Sequence, residues 1–156
     1  MIEEPSSHEA IACSLRLLSI RNHSRKELAG KLLKKGFRQD AVEAAISYLD
    51  KKKLLDDEAF GKEFISSRSK RRPIGERSMR LELTRKGIPD DLAGDLLSEY
   101  DSSELCRVAA EKKLISLKRY DPSQQKKKLE SFLRNRGFEW LVIKETIEHL
   151  FKNQPS

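Results

Sequence analysis

A basic residue, a glycine and a large apolar residue follow one another three times along this chain, at a nearly constant spacing. The three copies are Lys35-Gly36-Phe37, Lys86-Gly87-Ile88 and Arg136-Gly137-Phe138. Their glycines lie 51 and 50 positions apart (87 − 36 and 137 − 87). Because self-similarity at a fixed period is typical of repeat proteins, we predict three copies of one structural unit.

Apolar residues keep the same offsets from each glycine. The residues eight and four positions before it are Leu28 and Leu32, Met79 and Leu83, and Leu129 and Leu133. The residues five, ten and thirteen positions after it are Ala41, Ile46 and Leu49, then Leu92, Leu97 and Tyr100, then Val142, Ile147 and Leu150. These spacings place the apolar side chains on one face of a helix on each side of the glycine.

Each glycine is predicted to end a helix, at the C′ position where the backbone turns left-handed and a side chain is disfavoured. The basic residue before it complements the negative end of the helix dipole. The apolar residue after it is expected to fold back onto the last helical turn.

A further amphipathic helix precedes each pair, which gives three helices per repeat. The predicted spans are 9–20, 25–35 and 39–53, then 57–70, 75–86 and 89–99, then 103–117, 123–136 and 139–151. Ser24 with Glu27, Asp56, and either Asp121 or Ser123 are the candidate N-terminal caps.

The sequence therefore predicts an all-α chain of three tandem three-helix repeats of about 50 residues, forming an elongated rod with or without curvature. Helix formers dominate the composition, and only 7 Gly and 5 Pro interrupt it. The predicted organisation is an N-terminal extension at 1–8, repeats at 9–55, 56–100 and 101–151, and a C-terminal tail at 152–156.

Charge indicates the kind of partner. The chain has 32 Lys and Arg against 25 Asp and Glu, and the net charge of +7 favours nucleic acid, an acidic protein face or a lipid surface. Arginine predominates in the second repeat, which suits bidentate binding of phosphate or carboxylate. The candidate binding residues are Arg68, Lys70, Arg71, Arg72, Arg77, Arg80, Lys126, Lys127 and Lys128. The alternative is that these charges form a solvated face without a partner.

Residue patterns that enzyme chemistry requires are missing. His8, His23 and His149 are scattered, with no carboxylate or cysteine at a catalytic or metal-ligand spacing. The sequence contains neither of the common glycine-rich phosphate-binding motifs. We therefore predict no catalytic site, no metal and no cofactor.

Cysteine and aromatic residues are interpreted as structural. Cys13 and Cys106 are predicted to be reduced thiols of a soluble, cytoplasmic protein, and no segment is apolar enough to span a membrane. Trp140 is expected to pack within the fold. Because the aromatic residues mostly occupy core offsets, a stacking platform for single-stranded bases is not favoured.

Several blocks of sequence together match the pattern of a known family. The first runs from Ser14 to Phe37. The central block joins Leu54-Leu55-Asp56-Asp57 to Phe60, Phe64, Arg68, Gly75, Glu82-Leu83 and Lys86-Gly87-Ile88. With Phe132-Leu133 and Arg136-Gly137-Phe138, these blocks resemble the RecX family of bacterial RecA regulators over about residues 10–151. Two positions depart from the family pattern: Glu76 stands where proline is common, and Gly61 where alanine is common.

The resemblance implies binding within the groove of the RecA–DNA filament, inhibition of ATP hydrolysis and strand exchange, and limited filament growth. It implies single- and double-stranded DNA as secondary partners. We expect a non-enzymatic monomer whose contacts are Arg68, Arg71, Arg72, Arg77 and Arg80. The alternatives are a DNA-binding transcriptional regulator, since three-helix units often contain a helix-turn-helix, and a scaffold that touches only protein.

Overall fold

The computed structural model describes residues 6–152, and throughout this range the regular structure is helical. The helices of the described range are α1 Ser7–Ile20, α2 Arg25–Lys34, α3 Gln39–Lys51, α4 Asp57–Arg71, α5 Glu76–Arg85, α6 Asp90–Leu96, α7 Ser102–Ile115, α8 Pro122–Asn135 and α9 Trp140–Phe151. The all-α prediction is confirmed, and every helix end lies within three residues of its predicted position. Residues 1–5 of the predicted extension and 153–156 of the predicted tail lie outside the described residues.

The described chain forms two compact units. One contains residues 6–63 and 83–93, and the other contains residues 64–82 and 94–152. Helices α4, α5 and α6 therefore contribute residues to both units. None of the helices described here is long and apolar enough to cross a membrane.

Each unit has its own apolar core. Helices α1, α2 and α3 enclose one core, and α7, α8 and α9 enclose the other. The predicted positions eight and four residues before each glycine are fully buried in all three repeats: Leu28, Leu32, Met79, Leu83, Leu129 and Leu133. Full burial of one such side chain stabilises a fold by about 1.5–3 kcal/mol, so these positions hold the middle helix of each repeat in place.

The three repeated glycines end their helices as predicted. Their φ angles are 97°, 88° and 85°, in the left-handed region. In each turn the apolar residue after the glycine donates its N–H to the carbonyl four residues before the glycine, at N···O distances of 3.2, 3.0 and 3.2 Å. This bond satisfies a carbonyl at the helix end that has no partner within the helix.

Polar side chains start the helices at the predicted caps. The side chains of Ser24, Asp56 and Asp121 each accept the backbone N–H three residues further on, at 3.1, 3.0 and 2.9 Å. Asp121, rather than Ser123, is the cap of α8, and Pro122 follows it in the first turn. Each bond satisfies one of the free N–H groups at a helix start.

The start of α2 contacts the end of α5 within the first unit, in what we call the α2–α5 junction. The Ser24 hydroxyl donates a 2.6 Å hydrogen bond to the carbonyl of Lys86. The Glu27 carboxylate accepts hydrogen bonds from Lys86 at 3.1 Å and Arg21 at 2.8 Å. Burial alone would raise the pKa of Glu27, but the hydrogen bonds and charges of Arg21 and Lys86 outweigh it and lower the pKa to about 2.

The second unit contains the equivalent contact one repeat later, which we call the α5–α8 junction. Gly75, immediately before α5, donates its N–H to the carbonyl of Arg136 at 2.8 Å. A Cβ on Gly75 would overlap the Gly137 carbonyl, and a Cβ on Gly137 would overlap Ser78. A Cβ on Gly36 would have nothing within 4 Å. Packing therefore requires glycine at positions 75 and 137 but not at position 36.

Replacing Gly137 with Ala should destabilise the protein by about 2–4 kcal/mol, because overlap with Ser78 adds to the strain of a positive φ. Gly36→Ala imposes the same backbone strain in open space and should cost about 1 kcal/mol. Urea unfolding followed by circular dichroism measures both losses. Equal losses for the two variants would contradict the α5–α8 junction.

Candidate functional site

The end of α4 and the start of α5 carry the predicted basic residues. Lys70, Arg71 and Arg72 are exposed at the end of α4, and Arg77 is exposed in the first turn of α5. Within the part of the chain that the structure describes, none of these four side chains forms an ion pair. We call Lys70, Arg71, Arg72 and Arg77 the basic segment.

Arg68 differs from the basic segment because it has an acidic partner inside the same unit. Its guanidinium donates two hydrogen bonds to the Glu82 carboxylate, at 2.8 and 2.9 Å, and its side chain is 20% exposed. The hydrogen bond with Glu82 raises the pKa of Arg68. This ion pair joins α4 to α5. Arg68 therefore helps to hold the basic segment in position, and its guanidinium is already occupied by Glu82.

Arg80 also lies beside an acidic residue. Its guanidinium is 3.9 Å from the carboxylate of Glu76, one helical turn earlier. The negative charge of Glu76 offsets part of the positive potential at the start of α5. Arg80 therefore contributes less net charge to the surface than Arg77 does.

Arg136 lies beside the basic segment, although its position in the sequence predicted only the end of a helix. Its guanidinium donates to the carbonyl of Pro73 at 3.2 Å, and its own carbonyl accepts the N–H of Gly75. Burial, followed by the positive charges of Arg72 and Arg68, lowers the pKa of Arg136. The α5–α8 junction thus brings like charges together from positions more than 60 residues apart.

Comparison of the two junctions shows why this charge is not neutralised. At the α2–α5 junction the carboxylate of Glu27 neutralises Lys86. The residue 51 positions after Glu27 is Ser78, and the residue 50 positions after Lys86 is Arg136. The second junction therefore keeps the cation and replaces the carboxylate with a hydroxyl.

The lysine triplet of α8 lies on the surface of the third repeat. The Lys126 ammonium is 5.2 Å from the ring centre of Phe151, and the Lys128 ammonium is 4.5 Å from that of Tyr120. Both contacts orient the charges on aromatic rings. Lys127 is exposed between them.

The prediction that Trp140 packs within the fold is wrong. Trp140 is the first residue of α9 and is 54% exposed, and its neighbour Leu141 is 67% exposed. In the first two repeats the equivalent positions, three and four residues after the glycine, hold Gln39-Asp40 and Asp90-Asp91. The indole is thus an apolar surface feature of the third repeat alone.

The remaining candidate groups have structural surroundings. The Nδ1 atom of His23 lies 3.0 Å from the Arg21 carbonyl, and its Nε2 atom lies 2.7 Å from the Lys31 ammonium. A lysine donor at Nε2 requires the proton on Nδ1, so this imidazole is neutral, and burial lowers its pKa. Cys13 and Cys106 are both buried, and neither forms a disulfide within the described residues.

These features define a helical repeat protein with an exposed, arginine-rich surface. The first three-helix domain of RecX matches residues 10–49, the second matches residues 56–97 and the third matches residues 99–147. The chain therefore belongs to the RecX family. The repeat boundaries given above at 9–55, 56–100 and 101–151 stay predictions.

Relatives cover almost the whole chain. The regulatory protein RecX of Chlorobium limicola is 57% identical over 150 residues, which cover 96% of this chain and 94% of the relative. The RecX protein of Pelodictyon phaeoclathratiforme is 47% identical, with 90% and 88% covered. The crystal structure of RecX from Lactobacillus salivarius matches with a TM-score of 0.80 at 24% identity over 92% of this chain and 96% of that chain, which shows a common fold.

The stability effects of Arg68 and Arg72 should differ. Arg68→Ala removes both bonds to Glu82 and leaves that half-buried carboxylate unpaired, so we expect a loss of about 1 kcal/mol. Arg72→Ala removes a charge that repels Arg136 and should leave stability unchanged or slightly higher. Urea unfolding of the two variants gives the comparison, and an equal loss for Arg72→Ala would show that Arg72 has an internal partner.

Proposed function

We propose that this chain is a non-enzymatic regulator of the RecA recombinase that binds along the groove of the RecA–DNA filament. In this role it inhibits ATP hydrolysis and strand exchange and limits filament growth, and it thereby modulates DNA repair, recombination and the SOS response. Membership of the RecX family supports the proposal, because the relatives are named regulatory proteins.

The observation that carries the proposal is the uncompensated positive surface of the second unit. The basic segment and Arg136 offer guanidinium groups to a partner, and such groups bind carboxylate or phosphate with two parallel hydrogen bonds. A RecA–DNA filament contains both kinds of anion. Salt screens interactions between exposed charges, so binding through this surface should weaken as ionic strength rises.

The proposed inhibition is steric and conformational. A ligand shifts a conformational equilibrium only by its difference in affinity for the two states. By contacting neighbouring RecA subunits at once, the bound chain favours one arrangement of the subunits over those needed for ATP turnover and strand exchange. This mechanism requires rigid contact residues and no bond-making group from the chain itself.

Four further elements belong to the proposal. The chain acts as a monomer. It acts in the cytoplasm, where RecA filaments form on DNA. Single- and double-stranded DNA are secondary partners. Additional positive charge comes from Arg80 and from Lys126, Lys127 and Lys128.

The test is RecA ATPase activity on single-stranded DNA, titrated first with the unmodified chain and then with an Arg71→Ala/Arg72→Ala/Arg77→Ala variant. Loss of three exposed charge contacts at roughly 0.5 kcal/mol each should raise the half-inhibitory concentration about tenfold. Circular dichroism should show unchanged helicity, because the three side chains have no partner among residues 6–152.

The matched control removes the same charge from the first repeat, as Lys34→Ala/Lys35→Ala/Lys51→Ala, where the side chains are also exposed. Its half-inhibitory concentration should stay within about twofold of the unmodified value, since it keeps the basic segment. An equal rise of the half-inhibitory concentration for both variants would show that inhibition depends on net charge and not on the basic segment. Full inhibition by the arginine variant would rule out the basic segment as the contact.

A further inference from the structure

We propose that Arg72, Arg136 and Trp140 form a binding site for a single strand of nucleic acid, with its phosphates on the two arginines and one base stacked on the indole. The proposal rests on the proposed function, because it names which anion of the filament this surface meets. It adds two residues, Arg136 and Trp140, to the candidate binding residues. It also departs from the expectation above, which did not favour a stacking platform for single-stranded bases.

The phosphate half of the site is built by the α5–α8 junction. The Arg136 guanidinium donates a 3.2 Å hydrogen bond to the carbonyl of Pro73, and Pro73 is the residue that follows Arg72 in the chain. Arg72 itself is exposed and has no acidic partner in the described residues. The positive charge of Arg72 repels the Arg136 guanidinium, and a phosphate bound to both removes that repulsion.

An aromatic ring fixes the direction of Arg136. Its guanidinium carbon lies 4.6 Å from the ring centre of Phe132, and the Lys113 ammonium lies 5.1 Å from the same ring. Both distances are within the range of a cation–π contact. The positive charge therefore continues from the loop before α5 to α7, which is the arrangement that follows a phosphodiester backbone.

The base half of the site is Trp140, which has the chemistry for stacking. It lies four positions after Arg136, so the two Cα atoms are at most about 14 Å apart, a span that a few nucleotides cover. The Trp140 side chain starts α9 and is 54% exposed, so its ring is accessible to a ligand from solvent. Base–aromatic stacking tolerates any sequence, because every base has a π face.

This combination favours a single strand over a duplex or an acidic protein. Bases of a duplex are stacked on one another and present only their edges to side chains, so they cannot stack on an indole. An acidic protein surface satisfies the arginines but gives Trp140 no flat partner of the same kind. Single-strand binding uses both halves of the site.

The chain contains one tryptophan, so its own fluorescence reports on the proposed site. We would titrate the full chain, without RecA, with an oligothymidylate of about 15 nucleotides and with a duplex of the same length. The single strand should quench Trp140 emission, and added salt should reverse the quenching. The duplex should leave the emission nearly unchanged.

Variants separate the two halves of the site. Arg72→Gln and Arg136→Gln should each weaken single-strand binding several-fold, whereas Arg134→Gln should not. Arg134 is an exposed arginine of the same helix end that is paired with Glu130. With a labelled oligonucleotide and anisotropy, Trp140→Ala should bind about fivefold more weakly, at the lower end of the loss of one base–aromatic stack.

In the emission titration, no change with the single strand, or equal quenching by the duplex, would overturn the proposal. In the variant series, unaltered binding by Arg72→Gln would overturn it, and so would an equal weakening by Arg134→Gln and Arg136→Gln. Arg72→Gln keeps the test valid even if Arg136→Gln does not fold. A change in emission that requires RecA would identify a protein surface as the occupant. Arginine-dependent inhibition of the RecA ATPase without oligonucleotide binding would contradict this site and leave the proposed function intact. Oligonucleotide binding without inhibition of the RecA ATPase would contradict only the proposed function.

Discussion

The backbone contact between Gly75 and Arg136 is the interaction on which the second unit depends. It joins the start of α5 to the turn after α8, and it forms only because neither Gly75 nor Gly137 has a side chain at the point of approach. A hydrogen bond of this kind is worth about 1 kcal/mol by itself. Its larger effect is geometric, because it fixes a loop between helices against a residue far away in the chain.

The charge distribution follows from that contact. The same packing at the α2–α5 junction is electrically balanced, since Glu27 receives Lys86 and Arg21 and its pKa falls to about 2. At the α5–α8 junction the equivalent of the carboxylate is Ser78, and Arg136 remains beside Arg72. One repeated contact thus gives a stabilising ion pair in one unit and an exposed cationic surface in the other. A partner that supplies phosphate or carboxylate would complete the second junction in the way that Glu27 completes the first.

The fold could be predicted largely from sequence because its signals are local. A glycine after a basic residue, with apolar residues at fixed offsets, determines where a helix ends and which face is buried, and Asp56 or Asp121 determines where one begins. The site was less predictable because its contacts link distant positions. The partner of Arg68 is Glu82 on another helix, and residue spacing along a single helix does not predict such a pair. Arg136 has the same local signature as Lys86, and only the residue across the junction distinguishes them.

Trp140 shows a different limit of sequence reasoning. A tryptophan close after a repeat glycine was expected to be buried, since aromatic residues usually contribute to a core. The equivalent positions of the other repeats, Gln39 and Asp90, were the better guide, because a position that is polar in two repeats is a surface position in the third. Alignment of the repeats with one another therefore carries information about exposure that composition does not.

Amide hydrogen exchange of Gly75, measured by NMR on the unmodified chain, tests the central contact most directly. Gly75 lies in the loop between α4 and α5, where an amide facing solvent exchanges rapidly. If its N–H is bonded to the Arg136 carbonyl, it should exchange as slowly as the amides in the middle of α8, because release then requires opening of the packed unit. Exchange at the rate of an open loop would show that the junction does not form, and that Arg72 and Arg136 are not held together.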